Sequence, residues 1–300
     1  MTDNQLTLDE LLAPLRAESG GFAMVALDQR ESLRHMFSLG DETEAGHVSD
    51  ETLRAFKTIG IEVLSPLASG ILLDRPLAVT TSRPLGIAPG CGLILAADIL
   101  HQKPGKPVEF SQVDPLVTPE FIHAVGAVAI KLLVIWCSDQ PAAEREKLVR
   151  AFVAVAEEAG VASLVEGIVL APGGADWRDV GERHAAILDA AAELSSYGGS
   201  IYKAEVPGYV VGDLSKVREH AERLTEIVGG PWVVLSNGVN QPDFADAVRE
   251  ACLGGADGFL AGRAIWADTV SDDDTLAALR GRSRERLQRL SQIVAETRQS

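Results

Sequence analysis

Short apolar segments alternate with longer amphipathic segments along the whole chain. The apolar segments are rich in Val, Ile, Leu and Ala and lack the regular polar positions of half-exposed strands. They therefore predict strands that are buried on both faces, as in a parallel sheet. The predicted strands are residues 21–27, 69–73, 92–97, 129–135, 163–169, 200–206, 232–235 and 258–261.

The longer segments carry the signals of helices. Their apolar positions recur with helical spacing, and several begin at capping residues or at proline. The predicted helices include residues 50–58 capped by Ser49, residues 144–159, residues 214–228 capped by Asp213, and the helix from Pro242 to Leu253.

Eight successive β/α units favour a closed (β/α)8 TIM barrel, although an open doubly wound sheet would give a similar pattern. No linker rich in Pro, Gly or Ser divides the chain, so we expect a single domain over residues 1–300. A charged C-terminal helix is predicted at residues 271–300, to cover the barrel or to mediate contacts in a homo-oligomer.

Charge and cysteine content narrow the classes of partner. The formal net charge of -16 argues against nucleic acid and anionic membranes, and requires that any anionic substrate be held by a few placed cations. The three cysteines are far apart and form no C-x-x-C pair, which indicates a reducing, cytoplasmic location rather than a disulfide framework. The amino terminus lacks the features of a secretory signal.

Three charged residues interrupt consecutive apolar strands, the fourth to the sixth. Lys131, Glu166 and Lys203 would lie where strands end and βα loops begin, which is where barrels place their active sites. Each residue alone is explained by a structural ion pair. Together they match amine catalysis, which needs a partly neutral nucleophilic lysine, a second cation and a carboxylate that moves protons.

Metal-assisted chemistry, with zinc stabilising a developing negative charge, is the main chemical alternative to amine catalysis. The six histidines are scattered and include no H-x-H and no pair four residues apart on a helix, so no metal site and no cofactor are expected. They are His35, His47, His101, His123, His184 and His220.

Two further regions are candidate substrate contacts. Asp28, Gln29 and Arg30 directly follow the first predicted strand, where Asp28 would position a hydroxyl and Arg30 would supply a cation. The seventh and eighth strands are followed by short turns that resemble barrel phosphate sites, built from glycine amides, a helix amino terminus and a cation. These turns contain Ser236, Asn237, Gly238, Gly262 and Arg263.

At these residues the sequence resembles the tagatose 1,6-bisphosphate aldolase family, and within it the sulfofructosephosphate aldolases. The similarity covers nearly the whole chain. The segments that support it are SGGFAMVALDQRE (19–31), IKLLVIW (130–136), YKAEVP (202–207), VLSNGV (234–239) and GFLAGRAIWA (258–267).

The resemblance implies that Lys203 forms a Schiff base, that Lys131 and Glu166 assist it, and that Arg263 lies in an anion site. The preference for the sulfonate branch depends on Gly20-Gly21, Glu31 and Trp136. The departures from the family's pattern are Cys137 in place of an arginine, Gly167 in place of a proline and Asn237 in place of a small Ser or Ala.

The expected reaction is cleavage of 6-deoxy-6-sulfofructose 1-phosphate into dihydroxyacetone phosphate and sulfolactaldehyde. Two alternatives remain open. One is the same chemistry on tagatose or fructose 1,6-bisphosphate, and the other is a regulatory metabolite sensor on an aldolase scaffold.

Overall fold

The structure is a computed structural model that describes residues 6–40, 48–103, 106–174 and 176–299. The strands are β1 (Phe22–Leu27), β2 (Gly70–Asp74), β3 (Gly92–Ala96), β4 (Asp98–Gln102), β5 (Val108–Val113), β6 (Ala129–Trp136), β7 (Ala162–Val169), β8 (Ile201–Glu205), β9 (Trp232–Leu235) and β10 (Gly258–Ala261). The helices are α1 (Leu8–Leu12), α2 (Glu31–Gly40), α3 (Asp50–Leu64), α4 (Pro119–Ala124), α5 (Ala142–Ala159), α6 (Val180–Ser195), α7 (Val217–Val228), α8 (Phe244–Leu253), α9 (Arg263–Trp266), α10 (Thr275–Ala278) and α11 (Arg284–Thr297).

Eight parallel strands close into a barrel in the order β1-β10-β9-β8-β7-β6-β3-β2. This confirms the predicted (β/α)8 barrel and rejects the open sheet. Each predicted barrel strand matches an observed strand to within one residue at either end. The unit between β3 and β6 departs from the regular pattern, because an antiparallel hairpin of β4 and β5 precedes the short helix α4. The sequence analysis did not predict this hairpin.

The amino end of the barrel is closed by an apolar floor. Leu12 and Leu15, from α1 and the 3-10 turn that follows it, pack beneath inward-facing residues such as Met24 and Leu164. This turn lies close to the start of β3: a Cβ added to Gly92 would lie 2.7 Å from the Pro14 carbonyl oxygen and 2.8 Å from the Leu15 side chain, so glycine fits here without displacing backbone. The floor therefore leaves the opposite end of the barrel as the accessible one.

The second core lies between the strands and the surrounding helices. The C-terminal segment takes part in it, since α11 buries Leu287, Leu290, Ile293 and Val294 against the barrel. The prediction of one helix over residues 271–300 was wrong in detail, because α10 and a π-helical turn at Leu279–Ser283 precede α11. No helix within the described ranges combines the length and apolar character needed to cross a bilayer.

The predicted helix caps have mixed outcomes. Ser49 accepts a hydrogen bond from the Thr52 amide and caps α3, as expected. The cap assigned to Asp213 was wrong: its carboxylate accepts the amide of Ser215 in a turn, while a bridge to Val210 holds it in the loop before α7. That helix begins only at Val217.

Candidate active site

Strand alternation sends the three charged residues into the barrel. On β6, Ile130, Leu132 and Val134 pack outward against helices, so Lys131 between them faces the interior. The same alternation directs Glu166 of β7 and Lys203 of β8 inward. Glu166 and Lys203 are direct partners in the sheet register. The strands thus bring together the three residues that the sequence pattern singled out.

These side chains form a compact group that we call the lysine cluster: Lys131, Lys203, Asp28, Asp98 and Glu166. The Lys131 Nζ lies 2.7 Å from Asp28 Oδ2, 2.9 Å from Asp98 Oδ2 and 3.3 Å from Glu166 Oε2. The same Glu166 oxygen lies 3.0 Å from Lys203 Nζ. All five residues are buried. Glu166 therefore contacts both lysines.

The electrostatics of the cluster fix the charge of Lys131. Burial would lower the pKa of Lys131, but the carboxylates of Asp28, Asp98 and Glu166 more than offset it and hold the pKa well above its usual value. Burial likewise opposes ionisation of Asp28, yet Lys131, Lys203 and Arg30 bring its pKa well below the usual range. Lys131 is thus a permanent cation and Asp28 a permanent anion near neutral pH.

Asp98 is a member of the cluster that the sequence analysis missed. It is the first residue of β4 and accepts hydrogen bonds from Lys131 and, at 3.1 Å, from the backbone amide of Leu133. Its other carboxylate oxygen lies 2.7 Å from Arg30 Nη2, and its carbonyl accepts Arg30 Nη1 at 2.8 Å. Arg30 is therefore already paired with a carboxylate, which weakens it as a site for a substrate anion.

A cavity of about 710 Å³ opens above the cluster at the carboxyl ends of the strands. Every predicted site residue except Gly238 lines it. The lining residues that the sequence analysis named are Asp28, Gln29, Arg30, Lys131, Glu166, Lys203, Ser236, Asn237, Gly262 and Arg263. The hairpin adds Leu100, Gln102, Lys106, Pro107 and Val108 to one wall. The size suits a ligand of several hundred cubic ångströms.

The rim residues after β9 and β10 are arranged differently from the expectation. Arg263 is exposed and donates from Nη2 to Asn237 Oδ1 at 2.6 Å. Gly238 faces away from the cavity: its φ is +76°, and an added Cβ would lie 2.5 Å from Arg183 Nη2. We attribute this glycine to the close approach of Arg183, a residue that the sequence analysis did not single out.

The positions used to favour the sulfonate branch lie in different parts of the molecule. Gly21 is at the amino end, where an added Cβ would meet Val294 of α11 at 2.5 Å. The Trp136 side chain donates to Glu193 Oε2 at 2.9 Å on the helical side of β6. Among these positions Glu31 alone is a lining residue of the cavity within the described part of the chain.

The histidines differ in their surroundings. His35 lines the cavity, and His184 is buried next to His220, with ring centroids 5.4 Å apart. His47 lies outside the described residues. Within those residues, no three His, Cys, Asp or Glu side chains are grouped as metal ligands. The carboxylates of the lysine cluster converge on an ammonium group instead.

A closed (β/α)8 barrel with buried lysines and carboxylates at its carboxyl end has the architecture of a TIM-barrel enzyme. The family model described as "DeoC/LacD family aldolase" matches residues 22–268. The chain belongs to this family of aldolases and is a carbon–carbon lyase.

Curated relatives include two bacterial enzymes. Tagatose 1,6-diphosphate aldolase of Listeria monocytogenes serotype 4a (strain HCC23) is 27% identical over 324 residues, covering 95% of this chain and 90% of that protein. Tagatose 1,6-diphosphate aldolase 2 of Streptococcus pyogenes serotype M3 is 27% identical over 285 residues, covering 84% and 82%. The resemblance to the tagatose 1,6-bisphosphate aldolase family is thereby confirmed.

Solved structures share the fold at low sequence identity. Fructose-bisphosphate aldolase from Plasmodium falciparum superposes with a TM-score of 0.73 and 14% identity, covering 96% of this chain and 94% of that one. An archaeal fructose 1,6-bisphosphate aldolase gives a TM-score of 0.67 and 15% identity, covering 97% and 100%.

Proposed function

We propose that the protein is a class I aldolase in which Lys203 forms a Schiff base with a phosphorylated ketose. The observation that carries the proposal is the contact of Lys203 Nζ with Glu166 Oε2 at 3.0 Å, at the base of a cavity open to substrate. A lysine used only as a structural partner has no need of such a cavity. The relatives are aldolases of phosphorylated ketoses, which agrees with this substrate class.

The contact between Lys203 and Glu166 supplies a route for the first proton transfer. Glu166 takes a proton from the Lys203 ammonium, and the resulting amine attacks the C2 carbonyl to give a carbinolamine. The protonated Glu166 then returns the proton to the departing hydroxyl, so that water leaves and an iminium forms. Glu166, ionised again, then accepts the proton of the C4 hydroxyl as the C3–C4 bond breaks, so that the aldehyde is released and the electron pair of that bond passes into the iminium to give an enamine.

The remaining cluster residues position the substrate. Lys131 keeps its charge and orients substrate oxygens, and Asp28 positions a hydroxyl. The Oε1 atom of Gln29 and the Nε atom of Arg30 are buried without a hydrogen-bond partner among the described residues. Because such atoms are costly to leave unpaired, we assign them to substrate hydroxyls.

For the anionic ends, the favoured cation is Arg263, with Ser236, Asn237 and Gly262 beside it. Arg263 forms no ion pair within the described residues, whereas Arg30 is paired with Asp98. Lys106 on the hairpin is a second exposed cation of the lining. Gly238, which the sequence pattern predicts at this site, instead packs against Arg183. These cations would bind the two ends of an extended ketose.

The finer proposal is that the substrate is 6-deoxy-6-sulfofructose 1-phosphate. Glu31 supports it, since its carboxylate lines the cavity and remains about half exposed beside Arg34. A fixed negative charge penalises a phosphate, with nearly two charges, more than a sulfonate with one. The relatives' names favour a 1,6-bisphosphate instead, which makes that class of substrate the second candidate.

Reductive trapping tests the chemistry. The protein is treated with borohydride in the presence of dihydroxyacetone phosphate and digested, and its peptides are weighed by mass spectrometry. We expect a stable adduct on Lys203. Lys203→Met should give no adduct, while Lys216→Met, which alters an exposed lysine, should behave as the wild type. An adduct elsewhere, or full activity of Lys203→Met, would refute the proposal.

Substrate comparison tests the finer assignment. The kcat/KM values for the sulfosugar phosphate and for tagatose 1,6-bisphosphate are measured with the wild type and with Glu31→Gly. We expect the wild type to prefer the sulfosugar and the variant to move towards the bisphosphate. Equal or better cleavage of the bisphosphate by the wild type would reject the sulfosugar. Absence of turnover on both would favour a metabolite sensor.

The expected cellular setting stays a proposal. All three cysteines are free thiols, with Cys91 and Cys137 buried and Cys252 half-buried. Free thiols agree with a reducing compartment, and we propose the cytoplasm. The homo-oligomer also stays a prediction.

A further inference from the structure

A row of hydrogen-bonded side chains at the cavity rim connects Arg263 to the interior of the barrel. Glu205, at the end of β8, is buried and accepts from Arg183 Nη2 and from Asn237 Nδ2, both at 2.8 Å, through Oε1. The other end of the Asn237 amide accepts from Arg263 Nη2 at 2.6 Å. We call Arg183, Glu205, Asn237 and Arg263 the rim network.

The chemistry of its members allows one orientation of the Asn237 amide. An ionised carboxylate only accepts hydrogen bonds, and a guanidinium only donates them. The amide nitrogen must therefore face Glu205, and the amide oxygen must face Arg263. An amide is suited to this place because it joins an acceptor to a donor across a short distance. The Asn237 amide thus links the Glu205 carboxylate to Arg263 and fixes the position of the Arg263 guanidinium.

The inner end of the network is firmly fixed. Glu205 Oε2 accepts the backbone amide of Val169 at 3.0 Å, so the carboxylate is anchored at both oxygens. Arg183 reaches Glu205 by passing over Gly238, where a side chain would leave too little room. The fixed points lie on β7, β8 and α6, which are rigid elements of the barrel. Asn237 therefore anchors the exposed Arg263 side chain to these rigid elements.

We infer that Arg183, Glu205 and Asn237 are positioning residues that hold Arg263 ready for the anionic group of a substrate, an inference that rests on the proposed function. Asn237 contributes no charge, so it orients the guanidinium without neutralising it. A carboxylate in its place would pair with Arg263 and compete with the substrate anion. The network also limits the rotamer entropy that an exposed arginine loses when it binds a ligand.

The test uses inorganic phosphate as the probe, with affinity measured by calorimetry on the full-length protein. We expect millimolar-range binding by the wild type, a large loss in Arg263→Ala, and about fivefold weaker binding in Asn237→Ala, which corresponds to about 1 kcal/mol, the energy of one ordinary hydrogen bond. If Asn237 acts only through Arg263, the double variant binds no more weakly than Arg263→Ala. Asn240→Ala, a change at an exposed asparagine three residues along, is the matched control.

Three results would overturn the inference: wild type that binds no phosphate, Asn237→Ala that binds as tightly as the wild type, or losses that add in the double variant. Kinetics give a second readout, because a positioning role raises KM about fivefold in Asn237→Ala and leaves kcat within about twofold. Unfolding temperatures of all variants serve as the check for a merely structural effect.

Borohydride trapping on the same samples separates this inference from the proposed chemistry. Trapping at Lys203 together with unchanged phosphate affinity in Asn237→Ala overturns the role of the rim network alone. Absence of trapping, together with phosphate binding that depends on Arg263 and Asn237, overturns the aldolase chemistry and leaves an anion site that the network positions.

Discussion

The two ends of the barrel interior are built from the same strands and differ completely in character. On β7, Leu164 faces the apolar floor, and Glu166, two residues further, faces the lysine cluster. On β8, Ile201 and Lys203 make the same change. A step of two residues keeps a side chain on the same face of a strand. One inward face therefore closes the barrel at the amino end and carries its charges at the other.

The floor explains why the charges are so closely paired. It keeps water from the underside of the cluster, so Lys131, which is fully buried, must be solvated by protein groups. Its three carboxylate contacts provide that solvation. Buried ion pairs of this kind add little net stability, since desolvation offsets their attraction. The main effect of the cluster is to fix the charges and positions of its side chains. Removing one partner is strongly destabilising, because a buried charge is then left unpaired.

The largest expected effect comes from breaking the charged end. Lys131→Met keeps the volume but leaves Asp28, Asp98 and Glu166 without their shared cation. We expect a loss of about 3–5 kcal/mol in the free energy of unfolding at pH 7, measured by urea denaturation, because carboxylates are left buried and unpaired. Lys216→Met, at an exposed ion pair, should cost less than about 1 kcal/mol. Equal stability of the two variants would contradict the account of the cluster.

The pH dependence of this effect follows from the pKa directions. The pKa of Asp28 is lowered in the folded protein, so its contribution is present above the unfolded value of about 3.9 and is lost as the pH falls below it. The pKa of Lys131 is raised, so its contribution is present below the unfolded value of about 10.4 and is lost as the pH rises through the folded value.

The stability gap between wild type and Lys131→Met should therefore be greatest between about pH 5 and 10 and should shrink below about pH 4. Without Lys131, burial favours the neutral form of Asp28, which no longer loses stability on acidification. Unfolding curves at pH 3 and pH 7 measure the gap. A gap of the same size at both values would show that Asp28 and Lys131 are not coupled as described.

Breaking the apolar end should have a smaller and purely structural effect. Leu15→Ala removes a buried side chain from the floor beneath Met24. We expect a loss of about 2–4 kcal/mol in unfolding free energy from the cavity created, with kcat within about twofold of the wild type. Leu85→Ala, at a fully exposed leucine, is the matched control and should be neutral. A large loss of kcat in Leu15→Ala would mean that the two ends are not independent.

The sequence was sufficient to predict the barrel because its strands are buried on both faces and stand out as continuous apolar runs. The same criterion missed the hairpin of β4 and β5, because it detects only strands that are buried on both faces. Its residues are largely half-buried or exposed, and they carry no uninterrupted apolar run between Asp98 and Val113. Helix starts were harder to place, as at Asp213, because a capping residue and a turn residue make the same kind of hydrogen bond.

The site was predictable where a charged residue interrupts an apolar strand or, like Asp28, directly follows one. Lys131, Glu166 and Lys203 met that criterion. Asp98 follows one predicted strand and Glu205 is the second-last residue of another, so the criterion could have found them if applied to every strand end. The partner of each charge could not be predicted, since pairing depends on side chains from distant segments. Arg30 is an example, because its ion pair with Asp98, which lies 68 residues later in the sequence, is visible only in the folded protein.

The smallest effect is expected for Gly238→Ala at the cavity rim. It is compared with Gly229→Ala, at a glycine near the amino end of the barrel. Gly238→Ala places a Cβ on a residue with φ of +76° and within 2.5 Å of Arg183 Nη2. Gly229, at the end of α7, also has a positive φ of +61°, but an added Cβ would meet no atom within 4 Å. Both changes should cost about 1 kcal/mol of stability from backbone strain.

Gly238→Ala alone should displace Arg183 from Glu205 and so loosen Asn237 and Arg263. We therefore expect its KM for the ketose substrate to rise a few-fold, which corresponds to about 1 kcal/mol or less, with kcat nearly unchanged. Gly229→Ala should keep the wild-type KM, because its strain lies at the other end of the barrel. If the two variants had the same KM, strain alone would account for Gly238→Ala, and the contact between Arg183 and Glu205 would have no influence on substrate binding.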